Sequence, residues 1–254
     1  MRLLCPLLHI SHYLPPVMAG AASCLDLKAS FFKVSLPRET RHLFRCRVED
    51  GTLVGPARLP MGHKASPEIL QIILTSAIAV VTTVAHRLWA APPLVRVDVW
   101  IDNIRIAVSK SDATLWEAQV LRNAAGCHAS MGEDRESGAT QYTFLGVLFD
   151  HTRRAVFLSD KFVRSACDMP ALNSSNIAEM EVMASRFWYA AAILCTRLYD
   201  NYVFIKAVRR RLFAINRGIV QETSPANLPP SVAVLGERLR QMIENNRKRN
   251  NKPT

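Results

Sequence analysis

The sequence predicts an α+β fold, an antiparallel sheet with helices packed on one face, followed by an all-α segment. Three observations carry that reading. Residues 21–158 run in the order strand, hairpin, helix, hairpin, helix, hairpin, which without the first hairpin is close to a split β-α-β-β-α-β sheet. After Ser159 the β-rich runs give way to four helical stretches. A chain of 254 residues with 49% hydrophobic content can bury a substantial core, and its length allows one large domain or two small ones.

The elements follow in order. Residues 21–36 read as a strand ending near Asp26, then a turn from which Phe31 and Phe32 open another apolar segment. Residues 43–48 and 52–58 flank Glu49-Asp50-Gly51, and Asp-Gly between two such runs signals a hairpin. Ser66, Pro67 and Glu68 supply a candidate N-cap, a proline at the first helical position and an early acid, so a helix is expected over 67–89, closed by Pro92-Pro93. Residues 95–100 and 104–108 are β-rich either side of Asp102-Asn103, which places Asp102 on a hairpin turn and Asp98 on a solvent-facing strand position. Residues 112–125 are helical in pattern with Leu115, Val120 and Leu121 on the apolar side. A last hairpin is expected over 142–158, turning at 151–154. Helices then start at Asp160 and span about 177–198, 203–217 with Gly218 as a C-cap, and 231–245.

Composition narrows the partners. The 32 Lys and Arg against 21 Asp and Glu give a formal charge of +11, which favours a polyanion, with a merely basic protein as the open alternative. Six cysteines lie far apart with no Cys-x-x-Cys pair, so neither a zinc site nor a disulfide scaffold is expected, and an intracellular setting, cytoplasmic or nuclear, is. The uncharged run 69–85 contains Gln71, Thr75, Ser76, Thr82 and Thr83 and reads as a buried helix; no membrane partner is expected.

Three ordered segments carry the chemistry: Leu25-Asp26-Leu27-Lys28-Ala29-Ser30-Phe31-Phe32, Leu59-Pro60-Met61-Gly62-His63-Lys64-Ala65-Ser66-Pro67, and Trp100-Ile101-Asp102-Asn103. A carboxylate closing an apolar strand, a Gly-containing loop entering a helix and a second carboxylate at a hairpin tip are the parts of a two-metal polymerase palm. Each aspartate taken singly is an ordinary turn or cap residue. Together with Phe144-Leu145-Gly146 further on, the set resembles motifs A, B and C and the primer grip of reverse transcriptases, over about residues 21–200.

That resemblance implies a polymerase palm followed by an all-α thumb or connection: a fingers remnant over 1–20, a palm over 21–160, a thumb over 161–245 and a disordered basic tail over 246–254. It implies RNA-directed DNA polymerase chemistry with an RNA template, a DNA primer and deoxynucleoside triphosphates. Asp26 and Asp102, with the Leu27 carbonyl, would bind two Mg²⁺ ions, for which Mn²⁺ can substitute. Phe31 would bar a ribose 2′-hydroxyl, with a buried core phenylalanine as the alternative. Phe32, Met61, Gly62 and Lys64 would line the nucleotide and template pocket, and Phe144, Leu145 and Gly146 would hold the primer. Lys206, Arg209 and Arg210, on a helix with Phe204, Leu212 and Phe213 on its apolar side, would contact phosphates or form a solvated face.

Three departures from the pattern stand out. Asn103 occupies the family's third acidic position, and the Asp-Asn form resembles tyrosine-recombinase retroelements. Only 25 residues precede Asp26, so fingers and RNase H are expected from a further chain or polyprotein segment. No lysine lies between Asp112 and Asp150 to protonate pyrophosphate; His128, Arg135 and His151 are the substitutes, each otherwise a solvated surface residue. The rival expectation is a truncated or domesticated palm that binds nucleic acid or protein without catalysis.

Overall fold

The computed structural model describes residues 20–79, 95–194, 196 and 198–250. The expected fingers remnant, the far end of the helix expected over 67–89, Pro92-Pro93 and residues 251–254 lie outside them, residues 1–19 among them. The chain forms two compact units, one holding residues 20–142 and 150–154 of those described, the other 143–149 and 155–250.

In the first unit β1 (Ala21–Lys28) is the inner strand of a five-stranded sheet in the order β4 (Arg96–Trp100), β5 (Asn103–Val108), β1, β6 (Ser130–Met131), with β7 (Glu136–Ala139) also pairing β1. Its pairings with β5, β6 and β7 are all antiparallel. Cross-strand partners Leu25↔Ile104 and Ser23↔Ile106 fix one face, and Cys24↔Arg105 and Asp26↔Asn103 the other. The first face carries the core. Leu25, Leu27, Val99, Ile104 and Ile106 pack with Leu70 and Leu74 from one helical segment and Trp116, Val120 and Ala124 from another. Burying each such large side chain contributes about 1.5–3 kcal/mol.

The helices on that face follow α1 (Ser30–Lys33) and a short hairpin, β2 (Cys46–Arg47) with β3 (Leu53–Val54), whose turn holds Gly51 at φ 85°. α2 (Ser66–Ile73) is capped by Ala65 without a side-chain hydrogen bond, and the Ser66 hydroxyl is buried with no partner, so Ser66 is not the N-cap. The helix widens into a π turn over Leu74–Ile78. On α3 (Ala113–Gly126) the apolar stripe is Ala113, Trp116, Val120 and Ala124, while Leu115 is half exposed at 50%. The i, i+4, i+8 spacing from Trp116 sets the face, and Leu115 falls beside it.

The opposite face of the sheet overturns the reading of Asp98. It is only 7% exposed and accepts hydrogen bonds from Arg105 Nε at 2.9 Å and Arg96 Nε at 2.8 Å. Asp98 and Arg105 are direct cross-strand partners, so the ion pair is set by register. His151 is likewise buried rather than solvated, its ring 3.2 Å from the Tyr142 hydroxyl. Burial pushes the Tyr142 phenol well above its usual range against the opposing pull of Arg105.

The expected single hairpin over 142–158 is a three-stranded meander of β8 (Gln141–Phe144), β9 (Val147–Asp150) and β10 (Ala155–Leu158). Leu145 and Gly146, at φ 52° and 78°, make an extra tight turn. The strands flanking β1 on its free side are instead β6 and β7, whose Ser130-Met131 and Glu136-Ser137-Gly138-Ala139 carry no β-rich signal. Most of the meander groups with the helical unit.

That unit contains α4 (Asp160–Cys167), α5 (Ile177–Ile193), α6 (Tyr202–Asn216) and α7 (Pro230–Asn250). Ser159 caps α4, and Asn176 with Glu179 forms a reciprocal capping box on α5 at 2.9 and 3.0 Å. The buried positions Met180, Met183, Ala184, Phe187, Ala190 and Ala191 recur at helical spacing on α5. α7 presents Val232, Gly236, Leu239 and Ile243 inward and runs through Asn250, so the stretch 246–250 is helical and not a disordered tail. Arg240, which the sequence offers only as added charge, donates to the carbonyls of Cys167, Met169 and Pro170 at 2.6–3.1 Å and closes the end of α4. On α6, Phe204 and Val208 are the buried positions; Phe213 is 56% exposed beneath Arg217, not part of the apolar side.

Candidate two-carboxylate site

Asp26 sits near the end of the inner strand and Asp102 in the two-residue turn between β4 and β5. Register brings them together: Asp26 faces Asn103 across the ladder, and the Leu27 amide donates to the Asp102 carbonyl at 3.0 Å. Both aspartates are half-buried. Asn103 Nδ2 donates to Asp102 Oδ1 at 2.9 Å and so orients that carboxylate. Behind Asp26, the Gly132 amide donates to its carbonyl at 2.7 Å. A Cβ on Gly132 would lie 3.2 Å from Asp26 Oδ2, so the glycine leaves room for the carboxylate.

Burial, then the Asp102 charge, raise the proton affinity of Asp26 above the ordinary carboxylate range; the Leu27 amide opposes this and Asp134 adds to it. A pair of carboxylates under mutual repulsion is the arrangement a divalent cation relieves. Among the described residues no group of three or more carboxylate, imidazole or thiolate side chains is disposed to hold a metal. Magnesium prefers six oxygens and commonly takes one or two carboxylates plus substrate phosphates and water. The donor set of Asp26 and Asp102 therefore fits an ion that arrives with a phosphate ligand, and not a self-sufficient protein cage.

The other sequence candidates fall in distinct settings. Phe31 is buried at 8% exposure within the main core, whereas Phe32 is 56% exposed. Met61, Gly62 and Lys64 are exposed on the loop that enters α2. Leu59 anchors that loop: its side chain is fully buried and its amide donates to Val34 O at 3.0 Å. Gly62 has φ 89° with open space around a would-be Cβ, so its backbone angle is what demands glycine there.

In the helical unit, Phe144 is buried and the Leu145-Gly146 turn packs beside Phe162 and Tyr189, with the Tyr189 hydroxyl donating to the Leu145 carbonyl. Lys206, Arg209 and Arg210 are exposed on α6, and Lys206 lies 5.9 Å from the Tyr202 ring. Arg211 instead donates to Asn227 O at 2.8 Å. Of the pyrophosphate-acid substitutes, His128 and Arg135 are exposed, Arg135 pairing with Glu117 at 3.5 Å.

Three residues that sequence reasoning passed over shape the site: Gln71, Ile101 and Gly132. Gln71 left one signal, a lone amide in the apolar run Ile69-Leu70-Gln71-Ile72-Ile73. Gly132 left none, because its role depends on a strand pairing without β-rich residues.

No protein-family model and no curated protein matches the chain. Solved structures do. A foamy viral protease-reverse transcriptase dRH in complex with double-stranded DNA superposes with a TM-score of 0.62 at 14% identity, over 94% of this chain and 39% of that one. The foamy viral protease-reverse transcriptase in complex with RNA/DNA hybrid gives 0.61 at 13% identity, over 94% and 29%. A further complex of it with double-stranded DNA gives 0.55 at 13%, over 89% and 42%. The chain thus spans about two fifths or less of these structures. At this identity the likeness defines the fold: a reverse-transcriptase-like α+β palm followed by helices.

Proposed function

We propose that this chain carries the palm and thumb of an RNA-directed DNA polymerase from a retroelement, adding deoxynucleotides to a primer 3′ end. The observation that supports it most is the juxtaposition of Asp26 and Asp102 near the end of β1, where Asp26 pairs across the ladder with Asn103 next to Asp102 and its proton affinity is raised by burial and then by the Asp102 charge. In this reading the two side chains and the Leu27 carbonyl hold Mg²⁺, with Mn²⁺ able to replace it, which would neutralise charge on the attacking and leaving oxygens of phosphoryl transfer. Asn103 spends its amide on Asp102 Oδ1 and leaves Oδ2 for an ion. The Gly132 amide fixes the backbone from which Asp26 projects.

Phe31, held by the core, would set the floor under the sugar and bar a 2′-hydroxyl. Phe32, Met61, Gly62 and Lys64 would face the nucleotide and template, Phe144 to Gly146 the primer, and Lys206, Arg209 and Arg210 the phosphate backbone. The setting would be the cytoplasm or nucleus. The Asp-Asn pair at 102–103 supports placing the chain near tyrosine-recombinase retroelements. Among the described residues no helix is long and apolar enough to cross a membrane.

The test is Mg²⁺-dependent extension of a DNA primer on an RNA template by the purified chain, with Asp102→Ala alongside. Extension by the parent and none by the variant supports the proposal. No extension by either, with salt-sensitive duplex binding retained, selects the non-catalytic palm, a reading favoured by the loss of an acid at Asn103.

A further inference from the structure

The turn that carries Asp102 is built on an unfavourable residue. β4 and β5 are joined by Ile101 and Asp102 alone, with Trp100 and Asn103 as closing partners. Ile101 has φ 55° and Asp102 does not share the left-handed region. A two-residue turn with only its first central residue at positive φ ordinarily places glycine there. A β-branched residue crowds its own backbone in that region and persists only where its surroundings hold it.

Gln71 is what holds it. The side chain comes from α2, is 9% exposed, and uses both ends of its amide on this turn. Nε2 donates to the Val99 carbonyl at 2.7 Å, and Oε1 accepts from the Ile101 amide at 2.7 Å. The two bonds bracket Trp100 and grip the chain immediately before Asp102, whose carbonyl in turn takes the Leu27 amide beside Asp26. One helical amide therefore connects α2, the strained turn and the strand that carries the other carboxylate.

We propose that Gln71 is a positioning residue: it keeps Ile101 in the left-handed region and thereby sets Asp102 against Asp26. The functional part of this inference rests on the polymerase reading; the conformational part stands without it. Ile101 is the strained element and Gln71 the clamp, so their effects are coupled. Removing the clamp matters while isoleucine occupies the turn and matters far less once glycine does.

The experiment compares Gln71→Met, Ile101→Gly and the double variant with the parent. Its first readout is the three-bond amide-to-Hα coupling at residue 101 combined with the intraresidue amide-to-Hα NOE, which separates positive from negative φ, together with the amide shift of Asp102. The expected result is that Gln71→Met moves Ile101 out of the left-handed region and shifts Asp102, while the double variant returns the Asp102 shift to the parent value. If Gln71→Met does not fold, recovery of a folded chain by adding Ile101→Gly is the same rescue. Retention of positive φ at Ile101 in Gln71→Met, or no rescue by glycine, overturns the proposal. Where the parent extends primers, Gln71→Met should lower kcat at least tenfold with the deoxynucleotide KM within twofold, and Ile101→Gly should restore most of it. A parent that extends nothing counts against the polymerase reading alone, because the coupling at residue 101 still decides the role of Gln71.

Discussion

Replacing Asp98 by alanine should destabilise the first unit by about 3 kcal/mol. The carboxylate is 7% exposed and its cross-strand partner Arg105 has a side chain only 4% exposed, so the substitution strands a guanidinium where water cannot reach it. Breaking a buried pair from one side costs about 3–5 kcal/mol. The Tyr142 hydroxyl also bonds Arg105 and remains in place, which puts the expectation at the lower end of that range. Arg96 is 37% exposed and returns to solvent at little cost. The assay is urea unfolding followed by tryptophan fluorescence, since Trp100 lies on the same strand and Trp116 is buried beneath the sheet. With a denaturant slope of about 2 kcal/mol/M, the midpoint should fall by about 1.5 M. The double variant Asp98→Leu with Arg105→Met should recover most of the loss, because exchanging a whole buried pair for apolar side chains is often neutral or better. A midpoint shift under about 0.25 M for Asp98→Ala, the size expected of a surface substitution, would refute the buried-pair account and restore the solvent-facing reading.

Asp26→Asn should stabilise the chain at pH 7 while removing the chemistry assigned to it. The folded-state proton affinity of Asp26 is raised, so ionisation penalises the fold; stability falls as pH rises from the ordinary aspartate value of 3.8 through the raised one, and the penalty is absent below 3.8. Unfolding midpoints should therefore place the variant above the parent at pH 7 and level with it near pH 3; equal midpoints at both would contradict the electrostatic account. Gly236→Ala should lower the melting temperature, since a Cβ there would overlap Leu172 Cδ1 and sit 3.3 Å from Phe204 Cε2. Overpacking of this kind costs about 1–3 kcal/mol, against roughly 1 kcal/mol returned by helix propensity. Gly126→Ala, with open space around its Cβ, is the control and should not destabilise; equal melting temperatures for the two would refute the packing argument.

The parts of the fold legible in the sequence were those with a local chemical signature. Asp-Gly at 50–51 and the β-rich runs around Asp102 each declare their structure within a few residues. So did the two aspartates, because strand end and hairpin tip are local features and the flanking segments matched a known pattern. What stayed hidden depends on distant partners. The strands β6, only two residues long, and β7, polar with a glycine, exist because β1 offers an edge to pair. Asp98 looked exposed because strand alternation cannot reveal that Arg105 lies opposite and Tyr142 beside it. Nothing local marks leucine for positive φ, so the sequence predicts unbroken strand across Leu145-Gly146. Gln71 and Gly132 act on the site through a side-chain amide and a backbone amide from segments 45 and 106 positions past Asp26, a relation only the folded chain displays.

The measurement that bears most directly on the carboxylate pair is Mn²⁺ binding by electron paramagnetic resonance, with and without a deoxynucleoside triphosphate, for the parent, Asp26→Asn and Asp102→Asn. Two carboxylates, with no third metal-ligating side chain grouped with them among the described residues, predict weak binding by the parent alone, tight binding when the triphosphate is added, and loss of that enhancement in both variants. Enhancement that survives in either variant would contradict the assignment of Asp26 and Asp102 as a joint metal and nucleotide site.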